Sequence, residues 1–132
     1  MTNRFLATSG AVLGGLGVII GAFGAHALKG RVAPDMLAVF ETGVRYQVYH
    51  ALALFAAAWL AGHGPSREAA WAGRLFILGT VLFSGSLYAL ALLGERGVPA
   101  LNPYGGVGII TPIGGVALIA GWIVMAVGAW RL

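Results

Sequence analysis

The stretch FLATSGAVLGGLGVIIGAFGAHAL, Phe5 to Leu28, runs for 24 residues without a charge. A helix of that length reaches about 36 Å, and a bilayer's hydrocarbon core about 30 Å thick needs about 20 apolar residues. The run is long enough to cross a membrane. Two more windows, Ala72 to Leu93 and Val107 to Trp130, carry almost no charge, and a fourth, Val48 to Ala61, is shorter. A secretory signal peptide is the competing reading of the first window, because Ala25-His26-Ala27 imitates a cleavage site. The apolar run exceeds a signal core and only Arg4 precedes it, so a retained helix is expected.

Composition points the same way. The 132 residues are 59% hydrophobic and 9% charged, with a mean hydropathy of +0.89. Ordinary soluble domains are about one-quarter charged, so this chain cannot clothe itself for water. The absence of cysteine excludes disulfides, thiolate metal sites and dithiol redox chemistry. The net charge of +4 forms no basic cluster that would track a phosphate backbone, so anionic lipid is the expected partner and nucleic acid is not.

The short fourth window is lengthened at its start by APDMLAVFETGVRYQ, where Pro34 suits a first helical turn and Asp35 its positive end. The expected architecture is therefore all-α: an integral membrane bundle of four transmembrane helices in one domain, with spans near 5–28, 44–62, 70–93 and 108–130. The second helix carries an amphipathic N-terminal extension. Links fall at KGRVAPD, GHGPSRE and GERGVPALNPYGG, where glycine, proline and charge gather. Ser66 is the expected cap of helix 3, Gly94 its close, and Thr111-Pro112 the cap and first turn of helix 4. That start would leave Tyr104 to Ile110 as non-helical backbone.

Glycine recurs with a period. Gly10, Gly17 and Gly24 fall seven apart in helix 1, with Gly14 and Gly21 in a second row; Gly114, Gly121 and Gly128 repeat the spacing in helix 4. Stripes without side chains let backbones approach, which is how helices pack where lipid gives no hydrophobic drive. They face either each other or a second subunit, and a homo-oligomer is a possible partner state.

The polar residues also gather. ETGVRYQVYH, Glu41 to His50, holds an acid, an arginine, two tyrosines and a histidine. Helical spacing spreads Glu41, Arg45, Tyr46, Tyr49 and His50 over one half of helix 2, at a depth similar to His26 on helix 1. Helix 3 adds Thr80, Ser84 and Tyr88 at fourfold spacing, plus Ser86; Thr111, Asn102 and Tyr104 complete the set. Polar groups at membrane depth are costly, so they normally face inward and are partnered. One reading is a ligand pocket of His26, Glu41, Arg45, Tyr46, Tyr49, His50, Ser84, Tyr88, Asn102 and Thr111. The other is an interfacial belt of arginine and tyrosine with histidines that bond carbonyls.

Four blocks, GAFGAHALKG (Gly21 to Gly30), ETGVRYQVYHALAL (Glu41 to Leu54), LFSGSLYALAL (Leu82 to Leu92) and ITPIGGVALIAGW (Ile110 to Trp122), carry a family likeness. Through them the chain resembles the YgdD/YwdK family of small bacterial membrane proteins, related to a small eukaryotic mitochondrial transmembrane protein. The resemblance covers nearly the whole chain. It implies a four-helix integral membrane protein and lends no catalytic residues.

The functional expectation is a multi-pass inner-membrane protein without enzymatic activity, binding a small anionic or amphipathic molecule, or lipid, at one end of the bundle. Arg45 would meet the anion, Glu41 would hold Arg45, and free N–H groups at the start of helix 4 would add an anion site. No cofactor and no metal are expected. A small proton-coupled transporter, a helix-packing assembly protein, and a haem protein ligated by His26 and His50 are the alternatives. A hydrolase built on Ser84 or Ser86 with His50 would need Glu41 to orient the histidine, and two turns separate them. Lysine and arginine are balanced across the membrane, Arg4, Arg67, Arg74 and Arg131 on the side of the termini against Lys29, Arg31, Arg45 and Arg96, and cytoplasmic termini are expected.

Overall fold

The computed structural model describes residues 2–94 and 107–132, and there the chain forms four helices, the first three joined by short links. Helix α1 spans Asn3–Phe23, with the Thr2 hydroxyl accepting from the Phe5 N–H at 3.3 Å as its cap. Phe5 to Leu28 is not one regular helix. After Phe23 the backbone widens into a π-helical turn, Gly24–Leu28. Gly30 then takes a φ of +81°, a left-handed conformation open to glycine, and the N–H groups of Arg31 and Val32 both turn back to the Leu28 carbonyl.

Helix α2 spans Pro34–His63 with Pro34 and Asp35 in its first turn, and at about 1.5 Å per residue it is about 45 Å long. Gly64 and Pro65 alone link it to α3, Ser66–Leu93, which forces the two helices antiparallel. Here the cap is Pro65, not Ser66, which is already helical and makes no capping bond. Gly94 closes α3 with a φ of −60°, so its left-handed freedom goes unused.

Helix α4 spans Val107–Trp130 and starts earlier than Thr111. The Thr111-Pro112 pair lies inside the helix, and Val107 to Ile110 are helical rather than irregular. The missing Pro112 N–H removes one bond, to the Gly108 carbonyl, within the first two turns. Contacts of Thr111 and Gly114 with α3 hold this segment in place despite that loss.

The helices pack in chain order, α1 on α2, α2 on α3 and α3 on α4, while α2 scarcely touches α4. The glycine stripes explain the spacing. A Cβ on Gly10 would stand 2.8 Å from the Ala51 carbonyl oxygen, one on Gly17 2.9 Å from Val48, and one on Gly24 2.7 Å from the Phe40 ring. The whole α1 stripe therefore lies on α2. Gly114 lies against the Phe83 backbone, Gly121 under the Phe76 ring and Gly128 against Leu60 and Glu68, so the α4 stripe lies chiefly on α3. The two stripes do not meet.

Small residues dominate the interior: Ala51, Ala53, Ala57, Ala69 and Ala72 are buried beside Leu6, Leu54, Phe40 and Phe76. The outside is apolar, with Val18, Ile19, Leu52, Val81, Val116 and Ile123 all exposed. That inversion is what a lipid solvent selects. Three helices, Asn3–Leu28 with its π turn, Ser66–Leu93 and Val107–Trp130, are long and apolar enough to cross a membrane by length and composition. Helix α2 contributes Gln47 and His50 to the buried polar residues, and α3 contributes Thr80, Ser84 and Ser86. The molecule is an all-α integral membrane bundle.

Candidate functional site

The polar cluster divides across two faces of α2. His50 is 4% exposed and Gln47 4%, whereas Tyr49 is 53% exposed and Glu41, Arg45 and Tyr46 also face outward. His26 is exposed on the π turn. Glu41, Arg45, Tyr49, His50 and His26 thus do not form one inward network. Nor does Glu41 hold Arg45 by its carboxylate: the Arg45 Nε–H donates to the Glu41 backbone carbonyl at 3.4 Å. The reason is rotational. The face of α2 turned to α1 is set by Phe40, Val44, Gln47, Val48 and Ala51, which fill the glycine stripe. Glu41, Arg45 and Tyr49, four apart, are carried to the far side.

The buried polar groups are satisfied helix to helix. Gln47 donates from Nε2 to the Leu13 carbonyl at 2.9 Å, and its Oε1 accepts from the Tyr88 hydroxyl at 2.7 Å, so one amide ties α1, α2 and α3. Gly17 lies beside this amide, and its ideal Cβ would press on the neighbouring Val48 at 2.9 Å. Ser84 donates to the Gly43 carbonyl at 2.7 Å, and Tyr88 closes over Gly43. The hydroxyls of Ser86 and Thr111 share a hydrogen bond at 2.6 Å between α3 and α4. Thr80 completes the hydroxyl stripe by position only: its buried Oγ1 has no hydrogen-bond partner among the described residues.

His50 joins two helices, α2 and α4, that otherwise meet little beyond the Gly128–Leu60 contact. The Trp122 Nε1–H donates to His50 Nε2 at 3.1 Å, and an indole nitrogen only donates. Nε2 is therefore the acceptor, and the proton on Nδ1 is directed to the Tyr46 carbonyl 2.7 Å away. Both ring nitrogens are engaged in a neutral tautomer. Neither is free to ligate a haem iron, and His26 points away from the bundle interior. A serine hydrolase arrangement fails for the same reason: Ser84 and Ser86 donate to backbone carbonyls, not to His50.

Above that hydrogen bond the gap between α2 and α4 opens into a groove of about 520 Å³. Tyr46, Tyr49 and His50 form one wall, Leu118, Ile119 and Trp122 the other, with Phe83 of α3 and Gly115 at the floor. Tyr46 packs on Phe83 with ring centroids 4.7 Å apart. A second groove of about 310 Å³ lies round the edge of α2, between Gly21 of α1 and Phe40, Glu41, Val44 and Arg45. Arg45 and Tyr49 stand on the ridge that separates the two.

The sequence pattern passed over Gln47 and Trp122. Gln47 is neutral and sits between tyrosines, yet it falls on the same face as Val44, Val48 and Ala51 opposite the glycine stripe. Trp122 lies eight residues from the end of α4, about 12 Å inside, where an indole N–H needs a partner. Asn102 and Tyr104 lie outside the described residues. The expected anion site at a helix start on Thr111 is also lost, because Thr111 is the fifth residue of α4.

Residues 20–115 match the model of the family described as "Protein of unknown function (DUF423)". The chain belongs to the DUF423 family. Within it, the chain is similar to the UPF0382 inner membrane protein YgdD of Escherichia coli strain K12, 40% identical over 132 residues, which cover 100% of this chain and 94% of that protein. It is also 44% identical over 124 residues to the UPF0382 membrane protein YwdK of Bacillus subtilis, covering 91% of each chain. A DUF423 relative of Staphylococcus haemolyticus, named UPF0382 membrane protein SH2409, is 41% identical over 122 residues, or 92% of each chain. No solved structure matches the chain. The DUF423 match runs from Ile20 to Gly115 and so takes in the Arg45 ridge, Phe83 and the α2 wall of the larger groove.

Proposed function

We propose that this multi-pass membrane protein binds one anionic amphipathic molecule, most simply a phospholipid, along α2 at the end of the bundle distant from the termini. The supporting observation is the pairing of a charge with an apolar groove. Arg45 has no carboxylate partner among the described residues and lines the groove of about 310 Å³ with Phe40 and Val44, while Tyr49, four residues on along α2, lines the groove of about 520 Å³ whose walls are rings and aliphatic chains. A guanidinium near membrane depth favours an anionic headgroup oxygen, to which it presents a fork of donors. An acyl chain suits the space between Tyr46, Phe83, Leu118 and Ile119. Among the described residues the Tyr46 and Tyr49 rings pack on each other and Tyr46 on Phe83, and their exposure leaves both hydroxyls accessible to a headgroup. The affinity of such a site comes from the match of depth, charge at the rim and apolar volume below it.

The test is native mass spectrometry of the purified protein, combined with quenching of Trp122 fluorescence by chain-brominated phospholipid in a variant whose other tryptophans are phenylalanine. Gly115→Leu places a side chain in the groove, where a Cβ at Gly115 meets the Phe83 ring at 3.7 Å without a clash. The expected result is loss of retained lipid and of most Trp122 quenching in Gly115→Leu, with partial loss in Arg45→Gln. Identical lipid retention and quenching in all three proteins would overturn the reading.

A further inference from the structure

The opposite end of the bundle is a second, differently built surface. A Cβ on Gly128 would meet Leu60 at 2.8 Å and Glu68 at 3.1 Å, and one on Gly62 would come within 3.6 Å of the Asn3 amide. The end of α2, the start of α3 and the end of α4 therefore share one level, and the start of α1 lies beside the end of α2. Close to that level three tryptophans point outward, Trp59 at 56% exposure, Trp71 at 50% and Trp130 at 92%. The Trp59 ring stacks on His63 with centroids 4.8 Å apart. Among the described residues the one acid at this end, Glu68, is already paired with Arg131.

Among the described residues Arg4, Arg67 and Arg74 make no ion pair with a carboxylate, and all three are exposed. Arg74 lies deepest along α3, and its guanidinium turns back over the Trp71 ring, 5.0 Å from the centroid. Helical side chains lean toward the N-terminus, and here that direction leads out of the membrane. The other end differs in balance: by sequence Lys29, Arg31, Arg45 and Arg96 share it with three acids, Asp35, Glu41 and Glu95.

We infer that the terminal end is a docking surface for the anionic headgroups of one bilayer leaflet, with the tryptophans fixing its depth and Arg4, Arg67 and Arg74 taking the charge. Indole rings settle at the headgroup level, and arginines beside them attract anionic lipid near the surface. This surface is independent of the groove beside Arg45. The two share no residue.

The experiment reconstitutes the full chain in phosphatidylcholine vesicles and measures, by electron spin resonance, the motionally restricted fraction of spin-labelled phosphatidylglycerol against that of spin-labelled phosphatidylcholine. The expected association ratio is about threefold in favour of phosphatidylglycerol at low salt, falling toward one in about 0.5 M sodium chloride, where charges more than about 4 Å apart are screened. Replacing Arg4, Arg67 and Arg74 together by Gln should bring the ratio to near one, and replacing the same three by Lys should restore it. The Lys variant and the salt titration keep the test informative if the Gln variant does not fold. A ratio of one in the unchanged protein overturns the inference. So does selectivity that survives the Gln triple and disappears instead when Lys29, Arg31 and Arg45 are replaced.

Discussion

At the scale of single residues, the value of a polar group is decided by whether its partner comes from another helix. Ser84 bonds the Gly43 carbonyl, whereas Thr80, one turn earlier on the same stripe, is buried with no hydrogen-bond partner among the described residues. Interhelical bonds in membranes average about 0.6 kcal/mol, and an unsatisfied buried hydroxyl costs about 1 to 3 kcal/mol. Ser84→Ala is therefore expected to lower the melting temperature in detergent, while the near-isosteric Thr80→Val leaves it unchanged or raises it. Two equal decreases would contradict the contrast. Glu41 and Arg45 give a second residue-level expectation. Since no carboxylate–guanidinium contact joins them, Glu41→Ala and Arg45→Ala should be additive within about 0.5 kcal/mol in a double-mutant cycle of thermal stability. A coupling of about 1 kcal/mol or more would show that an ion pair forms in the membrane.

At the scale of elements, glycine position governs which helices approach. Gly10 and Gly17 touch α2, but Gly15, on the same helix, has nothing within 4 Å of its ideal Cβ. Leucine at Gly17 should force Val48 aside and free the Gln47 bond to Leu13, a loss of about 2 kcal/mol or more by the usual scale of overpacking and an unpaired amide. Leucine at Gly15 should cost nearly nothing. Melting curves of the two variants check this, and equal stability would mean that α1 docks on α2 differently. In α4 the limit is tighter, because the space above Gly114 is filled by the Phe83 backbone rather than by a movable ring. Gly114→Ala should consequently destabilise more than Gly121→Ala, whose neighbour is the Phe76 side chain.

At the scale of the whole molecule, the two ends differ in kind although lysine and arginine number four on each side. Orientation in the membrane follows small differences in positive charge near span ends. Two lysines inserted after Gly64, in the link between α2 and α3, should commit the termini to the cytoplasm, read by a C-terminal reporter with distinct signals on the two sides. A population still divided after the insertion would show that packing or lipid, not charge, sets topology. The amino-acid sequence by itself determined the solvent, the number of helices and the packing stripes, because apolar run length and a seven-residue glycine period are local properties of the chain. It also determined that polar groups gather in the half of the bundle distant from the termini. What only the tertiary structure decided was the rotation of each helix about its axis. Periodicity states the angle between Gln47 and Arg45 but not which of them faces α1; Gly17, Gly24 and Gly43, by admitting Val48, Phe40 and Tyr88, set that rotation. Hence Gln47 and His50 are inside, Glu41, Arg45 and Tyr49 are outside, and the indole of Trp122, 72 positions from His50, closes the gap that the groove occupies.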